Sequence, residues 1–211
     1  MFRPIKTSKL ADDLYAIKSL MVNFYVYDTQ NGLIVFDTGL SKALAKAGFK
    51  QLGLDETKVT HVFLTHSDYD HAGGIGLFNQ AKICLGKAEE PLITGKKARR
   101  IILFNRNIKN YTLLADGEEI RINNTIIKVK ATPGHTLGSV MYLLDNQRLW
   151  INKQLLIAGD TISLTSKKEI KNFSIIQNQQ HQANVTLVNE LKREGFFDNK
   201  TILTGHHGMI S

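Results

Sequence analysis

Val62-Phe63-Leu64-Thr65-His66-Ser67-Asp68-Tyr69-Asp70-His71-Ala72-Gly73-Gly74 is the stretch around which the rest of this chain is organised. A short apolar run that reads as a buried strand gives way at once to four side chains able to bind a metal. Two glycines follow where the backbone must turn. The spacing H-x-D-x-D-H supplies two imidazoles and two carboxylates, more than one tetrahedral ion takes from a single loop. Two ions side by side are therefore the expectation. Imidazole suits zinc and iron, and carboxylate adds manganese, so the mixed set points to zinc, iron or manganese. The competing reading is a polar loop that caps a helix beginning near His71.

The chain has 211 residues, of which 43% are hydrophobic, enough for one domain, 1–211, with its own core. Residues 1–20 carry scattered charges (Arg3, Lys6, Lys9, Asp12, Asp13) and no apolar core of signal-peptide length. No run approaches the roughly 20 apolar residues that span a bilayer, so a cytoplasmic protein with no membrane partner is expected. The single cysteine, Cys84, excludes an internal disulfide and reads as a small core residue of a strand. A net charge of +8 suggests an anionic small-molecule substrate. A nucleic-acid partner is not expected, because no interleaving of aromatic and arginine residues accompanies that charge. A homodimer is left open.

Working outward, residues 14–18, 21–27 and 33–36 read as strands, with Asn31-Gly32 as a hairpin turn. Residues 41–53 read as a helix whose continuity Gly48 weakens. Residues 58–64 lead into the histidine-aspartate loop, 74–80 read as a short helix and 82–85 as a strand. The segment 86–111 is basic and unpatterned, either a solvated helical face or a flap over substrate. Strands are expected at 125–130, 139–144, 154–158 and 201–203, a polar loop at 163–182 and a helix at 182–194. His61 and His181 read as ordinary edge and solvent-exposed histidines.

Four further motifs accompany the loop in order: Asp37-Thr38-Gly39, Pro133-Gly134-His135-Thr136, Ala158-Gly159-Asp160-Thr161 and Thr204-Gly205-His206. Together with the loop they resemble the metallo-β-lactamase fold superfamily, whose loop is usually H-x-H-x-D-H. The departure is Asp68, standing where a histidine is usual. The resemblance implies an α/β (α+β) fold: a four-layer αββα sandwich, two mixed β-sheets flanked by helices. It also implies one metal position from His66, Asp68 and His135, a second from Asp70, His71 and His206, and Asp160 bridging the two. His206 is preferred to His207 because the family's last histidine directly follows a glycine. Asp37 would orient the loop without binding metal, or cap the helix at 41–50. Asp70 would also be catalytic, handling a proton for the leaving group.

The resemblance further implies a hydrolase in which a hydroxide bridging two divalent ions cleaves an ester, thioester, lactone or phosphodiester of a small molecule. Two ions about 3.5 to 4 Å apart lower the pKa of a shared water from about 15.7 towards about 7. The chain stops five residues after His206, so glutathione thioesters are not the first expectation. Three ionised carboxylates, instead of the two a histidine at position 68 would leave, shift preference from zinc towards iron or manganese. A di-iron redox protein reducing oxygen or nitric oxide is the main alternative, with a nucleic-acid-processing hydrolase behind it.

Overall fold

The computed structural model describes residues 2–97, 108–145, 154–173 and 179–211. The first seven strands form one sheet in chain order: β1 (Ser8–Ala11), β2 (Leu14–Ser19), β3 (Val22–Asp28), β4 (Leu33–Phe36), β5 (Val59–Leu64), β6 (Lys82–Gly86) and β7 (Tyr111–Leu114). Pairing is antiparallel from β1 to β4 and parallel from β4 to β7. The change follows from the connections. Tight turns join the early strands, whereas β4 reaches β5 through helix α1 (Lys42–Leu52), and the one-turn helices α2 (Tyr69–Ala72) and α3 (Glu90–Ile93) follow β5 and β6.

The second sheet takes β8 (Glu119–Ile122), β9 (Thr125–Ala131), β10 (Val140–Asp145), β11 (Gln154–Gly159), β14 (Lys200–Thr204) and β15 (Met209–Ile210). Only the β11–β14 pair in it is parallel, and helix α4 (Gln179–Arg193) makes that crossover. A hairpin of β12 (Ile162–Leu164) and β13 (Ile170–Asn172) stands apart.

Three apolar layers hold these elements. Tyr25, Phe36, Phe63, Ile127, Tyr142 and Ile157 lie between the sheets. Ile17, Phe24, Val35, Ala45 and Phe49 fill the outer face of the first sheet under α1, and Met141, Leu156, Val188 and Leu191 fill that of the second under α4. Each large side chain fully buried in this way stabilises the fold by roughly 1.5–3 kcal/mol. The result is two mixed sheets face to face between outer helices.

Two buried tyrosines tie the sheets together. Tyr25 on β3 donates its hydroxyl to the carbonyl oxygen of Thr204 at 2.7 Å, and Tyr142 on β10 donates to that of Leu64 at 2.7 Å. Leu64 and Thr204 each end a strand two residues before a candidate ligand, His66 and His206.

Some elements differ from expectation. The helix expected at 74–80 is a single 3-10 turn, Ile75–Leu77, and the turn of α-helix lies earlier, at α2 (Tyr69–Ala72). The expected loop at 163–182 contains β13 and the start of α4, and His181 on that helix is half-buried rather than exposed. Within 86–111, the part at 98–107 lies outside the described residues, and the rest ends in β7. No helix among the described residues is long and apolar enough to cross a membrane.

Candidate metal centre

Every candidate ligand stands at one end of the two-sheet seam. His66, Asp68, Asp70 and His71 follow β5; His135 precedes β10; Asp160 follows β11; His206 follows β14. The structure brings all seven together. His66, His135 and Asp160 each offer a ligand atom within 4.8 Å of the others, and so do Asp70, His71 and His206. Asp160 Oδ2 is 3.3 Å from His71 Nε2, 3.6 Å from His135 Nε2 and 3.2 Å from His206 Nε2. That is the position of a carboxylate shared by both groups. Gly205 makes this possible: a Cβ there would stand 2.3 Å from Asp160 Oδ1 and 2.7 Å from the His71 ring.

Asp68 faces the same space. Its Oδ2 lies 3.1 Å from His135 Nε2 and 3.8 Å from His66 Nε2. It also occupies the N-cap position of α2, yet its side chain makes no capping hydrogen bond. A residue placed to cap that instead turns its carboxylate to two imidazoles disfavours the capping reading of the loop.

Hydrogen bonds fix which nitrogen each ring presents. His206 Nδ1 lies 2.7 Å from the carbonyl oxygen of Met21, which can only accept, so Nδ1 carries the proton. His71 Nδ1 donates in the same way to Asp37 Oδ2 at 2.8 Å. The Thr65 hydroxyl gives its single proton to Asp37 and therefore accepts from His66 Nδ1 at 3.0 Å. All three rings turn Nε2 towards the common centre. His66 Nε2, His71 Nε2 and Asp160 Oδ1 are buried with no hydrogen-bond partner. Buried polar atoms without partners are rare, and buried imidazole nitrogens and carboxylate oxygens of this kind are a donor set that a cation satisfies.

Asp37 organises this half of the site. It sits at the end of β4 with a φ of 60°, in the left-handed region that aspartate tolerates better than most residues. Its carboxylate also accepts from the backbone N–H of Thr65 at 2.7 Å. The N-cap of α1 is Ser41, so Asp37 orients the loop and does not cap that helix.

The electrostatics follow from burial and mixed charge. Burial, with His71 and His135 nearby, holds the His66 imidazole well below its usual range. At His71 burial opposes the proton, but Asp160 and Asp37 outweigh it and push the ring well above that range. His206 follows the same pattern, burial opposing and Asp160 prevailing, and is pushed up to about 9. Burial would raise the Asp160 carboxyl, but His71 and His206 pull it well below the usual carboxylate range.

Aromatic rings wall one side. Phe173 stacks on His206 at 5.3 Å and meets His135 edge-on at 5.4 Å, and Phe2 stacks on His206 at 4.3 Å. Neither ring was picked out by sequence spacing. His207 points its ring at the same two phenylalanines and joins neither ligand group, while His61 lies back on β5 against Phe63.

Residues 18–206 match the family model of the metallo-beta-lactamase superfamily. The chain belongs to that superfamily. Metallo-beta-lactamases also supply similar solved structures. A subclass B3 enzyme of Bradyrhizobium japonicum has a TM-score of 0.76 over 96% of this chain and 78% of its own, at 19% identity. Another B3 metallo-beta-lactamase, described as having an active-site glutamic acid, has a TM-score of 0.76 over 100% of this chain and 84% of its own, also at 19% identity. At that identity the likeness is one of fold.

Among sequence relatives in the superfamily, a hydroxyacylglutathione hydrolase of Buchnera aphidicola is 26% identical over 65% of this chain and 45% of its own length. One from Pseudoalteromonas translucida is 33% identical over 48% of this chain and 32% of its own length. The chain therefore spans less than half the length of these curated relatives.

Proposed function

We propose that this superfamily member is a hydrolase that cleaves an ester, thioester, lactone or phosphodiester bond of a small molecule with two divalent metal ions. His66, Asp68 and His135 would hold one ion and Asp70, His71 and His206 the other, with Asp160 between them. The observation that carries this reading is the convergence of His71, His135 and His206 Nε2 on Asp160 Oδ2, at 3.3, 3.6 and 3.2 Å, beside a buried His66 Nε2 that has no hydrogen-bond partner. Zinc is the first choice, with iron or manganese favoured by the third carboxylate, Asp68. When bound, such a pair of ions acidifies a water and polarises the bond to be cut.

The chain's own residues supply the rest. Asp160, buried and held in its charged form, keeps negative charge between the two groups. Asp70 is 30% exposed at its side chain, against 20% for Asp68 and 3% for Asp160, so it is the carboxylate of the three with most access to a leaving group. Ionised at neutral pH, it would take the proton that the attacking water gives up and pass it to that group. Phe173 shields His135 and His206 from water on one side. The net charge of +8 supports an anionic substrate. The hydroxyacylglutathione hydrolases among the relatives are the reason to test a thioester panel first.

The test is elemental analysis of protein purified without added metal, with matched assays on thioester, lactone and phosphodiester panels. Two equivalents of zinc or manganese with turnover on one panel would support the hydrolase and identify the bond. Two equivalents of iron without turnover would move the assignment to redox chemistry. No bound metal would overturn the reading.

A further inference from the structure

Three acids are buried among the described residues: Asp37, Asp160 and Glu89. The first two face the candidate metal centre. Glu89, fully buried, does not belong to either ligand group. It ends the 3-10 turn Lys87–Glu89 that follows β6, and nothing in the basic segment around it distinguishes it in sequence from its neighbour Glu90.

Its two oxygens are divided between two loops. Oε1 accepts from the backbone N–H of Ser67 at 2.8 Å and from the Ser67 hydroxyl at 2.6 Å. Oε2 accepts from the Thr136 hydroxyl at 2.7 Å and from the N–H of Gly138 at 3.0 Å. Ser67 lies between His66 and Asp68, and Thr136 directly follows His135. One carboxylate thus spans the two loops that carry every residue assigned to the first metal position apart from the shared Asp160.

The backbone around it is fitted to this bond. A Cβ on Gly138 would stand 2.0 Å from the Glu89 nitrogen and 2.4 Å from its Cα, so only glycine lets that loop approach closely enough to donate. Four donors saturate the lone-pair positions of a carboxylate, which a glutamine cannot reproduce: it offers one oxygen and turns an NH2 towards donors.

We propose that Glu89 is a positioning residue that sets the distance between the His66–Asp68 loop and the His135 loop, and through it the metal affinity of the position they form. The inference rests on the two-metal reading above. Outer partners of this kind typically govern affinity about 10- to 100-fold. The second position takes Asp70 and His71 from the same loop as Ser67 but no residue from the Thr136 loop, so the distance between the two loops does not enter its geometry and it serves as the comparison.

The test is competition titration of zinc(II) against a chromophoric chelator in wild type, Glu89→Gln and Thr136→Val, with amide hydrogen exchange of the metal-free proteins. Wild type should bind two zinc ions. Glu89→Gln should lose about 10- to 100-fold at one of them and keep the other, with faster exchange at Ser67 and Gly138. Thr136→Val, which removes one of the four bonds and keeps the fold if Glu89→Gln does not, should lose affinity at the same ion by less. Wild type binding fewer than two ions would overturn the two-metal reading and this inference with it. Two ions bound by all three proteins with equal affinities, even with a lowered melting temperature in the variants, would overturn only the role of Glu89.

Discussion

His71 Nδ1 and Asp37 Oδ2 lie 2.8 Å apart across a gap of 34 residues in sequence, and this contact decides which face of the His71 ring is offered to a metal. Asp37 holds the Thr65 N–H as well, so a single carboxylate orients two consecutive parts of the loop. Asp37→Asn keeps a residue that tolerates the left-handed backbone while turning one acceptor into a donor. Zinc affinity should fall about 10- to 100-fold with the fold intact by circular dichroism. Unchanged affinity would mean that His71 is held by packing alone.

Metal binding should release protons. Burial opposes the His206 proton, but Asp160 pushes the ring up to about 9, so at neutral pH it is charged and must lose a proton before Nε2 can ligate. His71, also raised, adds to the effect, and His66, held low, does not. The sign is that apparent affinity rises with pH up to about 9 and gains nothing further from His206 above it. Calorimetric zinc titrations at about pH 7 and about pH 10, in buffers of different ionisation enthalpy, read the count directly. Equal proton release at both would contradict the assignment.

Asp68→His should increase the preference for zinc over manganese and iron. It removes one carboxylate that now faces His66 and His135 and restores an imidazole in its place. Metal content after growth in mixed-metal medium, with the pH profile of turnover, is the measurement. A variant identical to wild type in both would remove Asp68 from the metal set.

Tyr142→Phe should cost about 1–3 kcal/mol in urea-induced unfolding with an unchanged m value, because the buried Leu64 carbonyl loses its donor while the ring still fills the core. A smaller change would mean that the carbonyl finds another donor in the variant.

Much of this architecture is legible in the sequence wherever a pattern is local. The loop from His66 to His71 announces itself by composition, and the inter-sheet strands alternate or run apolar strongly enough to be placed within a few residues. His135, Asp160 and His206 are single residues after turns, and only their order relative to the loop singles them out. Glu89, Thr65 and Tyr142 are illegible for a different reason. Their roles are hydrogen bonds to chain 22 to 78 residues away or, for Thr65, to a carboxylate 28 residues upstream, and no spacing encodes such a partner. The missed strands β1, β7, β8, β12, β13 and β15 are two to four residues long and half-exposed or shorter than any hydrophobic period. The helix expected at 74–80 is reduced to the 3-10 turn Ile75–Leu77, and the turn of α-helix falls within the loop, at Tyr69–Ala72, where it carries Asp70 and His71.

The two tyrosine ties and the division of the ligands have a consequence for how the molecule is made. Every strand of the first sheet precedes residue 115, and every strand of the second follows residue 118. A chain synthesised as far as Leu114 holds His66, Asp68, Asp70 and His71, but not His135, Asp160 or His206, and its Tyr25 has no Thr204 to reach. Under the two-metal assignment, neither position has its full ligand set until the second sheet has been made.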